Sequence, residues 1–117
     1  MKSAFWKRMA AWAVLLAMFA FPAFAEETQK LDTYYTLAVH YINAGEYDKA
    51  LTYLNACFDY CDEKQSAALA ADLYLKRGCV YTMKGDNEPA LNDLAKATEI
   101  SPEMADAYLV RVQIYSD

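Results

Sequence analysis

The sequence predicts an all-α fold made of tandem antiparallel helix hairpins, stacked as an α-solenoid with two full repeats and the first helix of a third. Three observations predict it. Beyond residue 30, apolar residues recur at three-and-four spacing along almost the whole chain. Breakers there are confined to Gly45, Gly78, Gly85, Pro89 and Pro102. A tyrosine-centred pattern appears three times. No stretch alternates with a period of two for long enough to suggest a strand.

The elements follow in order. Leu31, Tyr34, Tyr35, Ala38, Tyr41 and Ile42 form one face of a first helix over 31–44. Ala50, Leu51, Leu54, Cys57 and Phe58 do the same for a second over 47–61. A third helix spans 66–84, since Ala67-Ala68-Leu69-Ala70-Ala71 favours helix over loop and Ser66 stands at its cap. Asp86 or Asn87 caps a fourth over 88–100, with Pro89 tolerated in its first turn. Ser101-Pro102 opens a fifth over 103–115. Gly45 and Gly85 follow helices, where a left-handed residue is needed. Links this short make consecutive helices antiparallel neighbours.

Residues 1–25 carry a different signal. Lys2, Lys7 and Arg8 form a basic head, Met9–Ala25 is uncharged, and Ala23-Phe24-Ala25 offers a cleavage site just before Glu26-Glu27. That is a three-part secretory leader. An uncleaved inner-membrane anchor is the competing reading. Against it stand the short apolar run, confined to Met9–Ala25, and Pro22 near its end. With no cysteine near the cleavage point, the leader has the look of an ordinary bacterial export signal, which implies a periplasmic or secreted protein. The expected organisation is a signal peptide over 1–25, a disordered linker over 26–30 and a helical repeat domain over 31–117. Membrane association is expected only if the leader stays on.

Charge limits the partners. Without residues 1–25 the net charge goes from −5 to −8, because the leader holds three cations and no carboxylate. A surface this acidic argues against nucleic acid and against anionic lipid headgroups. Cys57, Cys61 and Cys79 are too few for a disulfide framework, and their odd number cannot pair within one chain.

The repeat is the most specific feature. Tyr34-x-x-Leu37-Ala38-x-x-Tyr41 leads to Gly45 and then Ala50-x-x-x-Leu54. Tyr74-x-x-Arg77-Gly78-x-x-Tyr81 leads to Gly85, Ala90-x-x-x-Leu94, Ala97 and Pro102. Tyr108-x-x-Arg111-Val112-x-x-Tyr115 opens a third unit. In sequence number, units two and three are offset by 34, units one and two by 40. Gly78 and Ala38 are small where paired helices must approach, and Ala50 and Ala90 are the small residues that face them. The longer first spacing is expected to be absorbed by an N-terminal extension of the third helix.

This pattern resembles the tetratricopeptide repeat over Leu31 to Asp117. The second unit follows the family at nearly every marked position, with Tyr74 in place of the frequent tryptophan. The first departs further, with Ala38 for glycine, Cys57 for the second-helix alanine and no terminal proline. The resemblance implies a protein-interaction module, a scaffold or adaptor whose ligand peptide lies in a concave groove lined by the first helix of each repeat. By position, that groove holds Tyr35, Val39, Ile42 and Asn43, then Leu75, Lys76, Cys79, Thr82 and Met83, then Leu109 and Gln113. Asp32, Thr36, Asp72, Asp106 and Val110 lie beside them. The Lys/Asn/Arg clamp by which the family's best-known groove takes a terminal carboxylate is missing, with Lys76 the one basic residue in the set. An apolar or basic segment suits this surface better than an acidic tail.

No catalytic constellation is legible, and neither a cofactor nor a metal is expected. His40 stands alone among apolar neighbours. Cys57 and Cys61 are one helical turn apart, and a zinc site would need a second pair of ligands. The ten tyrosines fall mostly at repeat positions, which favours packing over a sugar-binding surface. Two other readings stay open. One is a structural part of a longer repeat array, with no ligand of its own. The other is a thiol redox protein using the cysteines. The fifth helix, with Met104, Ala107, Tyr108, Leu109, Val110, Val112, Ile114 and Tyr115 around most of its circumference, is expected to self-associate or to be covered by a further helix.

Overall fold

The computed structural model describes residues 25–103, 109–111 and 113–114. Residues 1–24 of the expected leader and residues 104–108, 112 and 115 of the expected fifth helix lie outside them, so the expected leader and the surface expected to self-associate over 104–115 are only partly covered. The chain divides into compact units of residues 1–30 and 31–117. In the first, residues 25–30 are helical and exposed. The disordered linker expected over 26–30 is therefore corrected: Glu26, Glu27, Gln29 and Lys30 are good helix formers, and no glycine or proline intervenes.

The second unit is a run of helices. We number them α1 (residues 31–43), α2 (Tyr47–Tyr60), α3 (Ala67–Lys84), α4 (Asn87–Ile100) and α5, whose described part is helical at 109–111 and 113–114. No strand occurs among the described residues. α2, α3 and α4 lie within a few residues of their expected spans, α1 ends one residue before the expected end, and α3 has the N-terminal extension that the longer first spacing required.

Two turns share one hydrogen-bond pattern. After α1, Gly45 N donates to Ile42 O at 3.1 Å and Glu46 N to Tyr41 O at 2.9 Å. After α3, Gly85 N donates to Thr82 O at 3.0 Å and Asp86 N to Tyr81 O at 2.9 Å. These are Schellman closures, and they need a left-handed residue, supplied at φ 74° by Gly45 and 84° by Gly85. The α2–α3 link is built differently. Asp62 O accepts from Gln65 N and Ser66 N, and Asp62 Oδ1 accepts from Lys64 N. Ser66 and Asp86 occupy the caps of α3 and α4, but neither side chain makes the capping bond expected of it. Their carbonyls instead start the ladders, accepting from Ala70 N and Ala90 N.

Two apolar clusters hold the hairpins. One contains Ala38, Ala50, Leu54, Cys57, Leu73 and Val80, all essentially inaccessible. The other contains Ala90, Leu94 and Ile114, with Leu75, Tyr81, Leu91 and Val110 packed on it. Burying each of the leucines contributes about 1.5–3 kcal/mol. The small residues matter as much. A Cβ on Gly78 would lie 2.9 Å from Leu94 Cγ and 3.3 Å from Ala90 O, so α3 and α4 approach through a site that only glycine fits. The first hairpin carries a row of rings instead. Tyr60, Tyr34, Tyr53 and Tyr41 stack in sequence, with centroids 5.9, 6.1 and 5.4 Å apart. Tyrosines at repeat positions thus pack on one another.

Candidate functional site

A cleft opens between α1 and α3. Helical spacing puts Val39, Ile42 and Asn43 on one wall and Leu75, Lys76 and Cys79 on the other, around a volume of about 270 Å³. All six belong to the groove set implied by the sequence. Val39, Ile42 and Leu75 are half-buried and supply apolar surface, while the Asn43 amide is exposed.

Tyr35 and Asp72 stand one turn earlier on the same two helices and close the polar side. Tyr35 Oη donates to Asp72 Oδ2 at 2.7 Å, and Lys76 Nζ donates to Asp72 Oδ1 at 3.1 Å. The ammonium also sits over the Tyr35 ring, 5.6 Å from its centroid. Burial pushes the Tyr35 hydroxyl pKa up, and the bond to Asp72 pushes it further. For Lys76, burial works to lower the pKa, but the Asp72 bond and charge outweigh it and raise it. Lys76 is therefore charged and already engaged. It is not a lone cation waiting for a carboxylate.

The remaining groove residues fall elsewhere. Thr82 Oγ1 donates to Gly78 O at 2.9 Å, so its hydroxyl serves its own helix. Met83 and Leu109 are each 67% exposed, and Gln113 is exposed; none of these three lines the cleft. His40 is exposed and meets Tyr41 edge-on. A shallow, open hollow at the hairpin turns is lined by Gly45, Glu46, Tyr47, Asp48, Lys49 and Lys84, of which Lys84 and Asp48 form an ion pair.

The thiols differ by depth. Cys57 is fully buried, and burial, with Cys61 adding to it, pushes its thiol pKa up to about 11. Burial and the nearby Asp62 and Glu63 also raise that of Cys61. Neither is thereby activated as a nucleophile. Cys79 is half-buried, on the cleft wall.

An arginine that sequence reasoning marked only as a repeat residue joins three helices. Arg77 on α3 donates through Nε to Asp93 Oδ2 at 2.7 Å and through Nη2 to Asp93 Oδ1 at 2.8 Å. Its Nη1 donates to Asn55 Oδ1 on α2 at 3.0 Å, and the guanidinium rests 4.3 Å from the Phe58 ring centroid. A carboxylate directly before the repeat leucine, Asp93-Leu94, was the available signal.

These features define an α-helical repeat protein whose stacked hairpins present a cleft along their first helices. A family model described as the tetratricopeptide repeat matches residues 29–103, and the chain belongs to that family. Repeats of this family generally mediate protein–protein interaction. Comparison with curated proteins and with solved structures gave no significant match.

Proposed function

We propose that this chain is an exported interaction module, acting as a periplasmic scaffold or adaptor, that holds an apolar stretch of a partner protein in the cleft between α1 and α3. The observation that carries this reading is the cleft itself. Val39, Ile42 and Leu75 line it with apolar surface. Asn43 supplies an exposed amide for a peptide backbone, and Lys76 has its charge answered by Asp72. A site so lined favours an internal apolar or weakly basic segment over a terminal carboxylate. Among the described residues no helix is long and apolar enough to cross a membrane. The basic-apolar leader supports export, with cleavage after Ala25.

Two measurements test this reading. N-terminal sequencing of the exported protein should find Glu26 first; a start at Met1 would make the leader an anchor. Quantitative co-purification should recover a defined partner with the wild-type chain and lose it with Leu75→Asp, whose charge would face the apolar wall. Recovery unchanged by Leu75→Asp, in a variant that keeps its helicity, would overturn the cleft as the binding site.

A further inference from the structure

The cleft between α1 and α3 has two unlike ends. Tyr35 meets Asp72, and two turns further on Ile42 and Cys79 line the same cleft, so the two helices run in the same direction along it. About 10 Å of helical rise separates the two levels. The first level is polar. Asp72 is held by Tyr35 Oη and by Lys76 Nζ, with one bond to each carboxylate oxygen. Each oxygen can accept a second bond, and the Asp72 side chain is 31% exposed. Asp32 stands one turn before Tyr35 on α1 and is exposed. Against these two carboxylates the groove sets one ammonium, that of Lys76, already paired with Asp72, which leaves one net negative charge at this end. The next levels are apolar, with Val39 and Leu75 and then Ile42.

We propose that the cleft takes its partner segment in one setting, with an arginine or lysine of the segment at Asp72 and Asp32 and an aliphatic side chain of the segment against Val39 and Leu75. This rests on the cleft as the binding site, and it adds the residues of this chain that read the partner's charge. Tyr35 is a positioning residue, because its bond holds the Asp72 carboxylate in place. The opposite sign is rejected. An acidic side chain reaching for Lys76 would meet Asp72, whose Oδ1 lies 3.1 Å from that ammonium, and like charges repel. The spacing follows from backbone geometry. From Asp72 to Leu75, α3 rises about 4.5 Å, and from Tyr35 to Val39, α1 rises about 6 Å. An extended segment rises about 3.3 Å per residue and shows every second side chain on one face, so a step of two residues covers that distance. The recognised motif is a cation and an aliphatic residue separated by one other residue.

The probe is a phage-displayed library of random heptapeptides with Gly-Ser flanks, selected on the full chain. The wild type should enrich sequences with arginine or lysine two positions from leucine, isoleucine or valine. The double variant Asp32→Asn, Asp72→Asn leaves Lys76 as the charge at that end, and it should reverse the preference to aspartate or glutamate. A synthetic peptide from the wild-type selection should lose about three- to tenfold in affinity when its cation is replaced by glutamine, as expected for a charge-assisted bond at a part-exposed site. Circular dichroism checks the helicity of the variants. If the double variant loses it, Asp32→Asn, at an exposed position, carries the test and should weaken the cation preference. Apolar enrichment without a cation, or a cation preference unchanged in these variants, would overturn the inference and leave the cleft standing. Failure of the cleft itself reads differently: the apolar preference would survive Leu75→Asp.

Discussion

Arg77 and Asp93 face each other with both oxygens of the carboxylate engaged, Nε to Oδ2 at 2.7 Å and Nη2 to Oδ1 at 2.8 Å, at side-chain exposures of 22% and 9%. The Asp93 bond, working against the cost of burial, raises the Arg77 pKa and keeps the guanidinium charged. Asp93→Ala would leave Asn55 as its remaining polar anchor. We expect a loss of about 2–3 kcal/mol, near the cost of stranding one member of a largely buried pair. Urea unfolding measures it. Asn55→Ala should cost less, about 0.5–1.5 kcal/mol, because it removes one hydrogen bond at an exposed site.

Gly78 tests the closeness of α3 and α4. Gly78→Ala gains helix propensity but puts a methyl 2.9 Å from Leu94 Cγ, in a site where Leu94 is fully buried. A net loss is expected, and Gly78→Leu should cost about 1–3 kcal/mol or more through overpacking. A Leu variant that melts with the wild type would refute this helix contact.

Gly45 and Gly85 form a matched pair. Both have left-handed φ, and a Cβ at either would meet nothing within 4 Å. Alanine at either position therefore pays backbone strain alone, about 1–2 kcal/mol. Thermal melts should give nearly equal losses, and a large difference would mean that the two closures are not equivalent.

Thiol labelling of the native protein should order the cysteines. Cys57, fully buried with its pKa raised to about 11, should react last near neutral pH, where almost none is thiolate. Cys79, on the cleft wall, should react first. Equal rates for the two would put α2 and α3 in the wrong register.

The fold was legible because its signals are local. Gly45 and Gly85 mark helix ends through a backbone requirement that any sequence obeys, and Tyr34, Tyr74 and Tyr108 mark the repeat. The cleft was partly legible. Position within the repeat brings Val39, Ile42, Leu75 and Cys79 together, but it says nothing of side-chain direction, and Thr82 turns back to Gly78 O. Contacts between residues far apart in sequence were hardest to read. Tyr35 on α1 meets Asp72 on α3, and Arg77 on α3 meets Asp93 on α4, and periodicity does not encode such pairs. The helix over 26–30 is hard to read because a polar segment beside an expected leader resembles a linker, although its residues favour helix.

Site-specific photo-crosslinking in the native compartment tests the central claim most directly. A benzoylphenylalanine replacing Leu75, on the cleft wall, should give one discrete adduct with a partner protein. The same probe replacing Glu99, exposed on α4, should give none. Mass spectrometry of the adduct should place the crosslink in an apolar internal segment of the partner. Adducts at Glu99 but not at Leu75, or a crosslink to a terminal carboxylate-bearing tail, would contradict the cleft as the binding site described here.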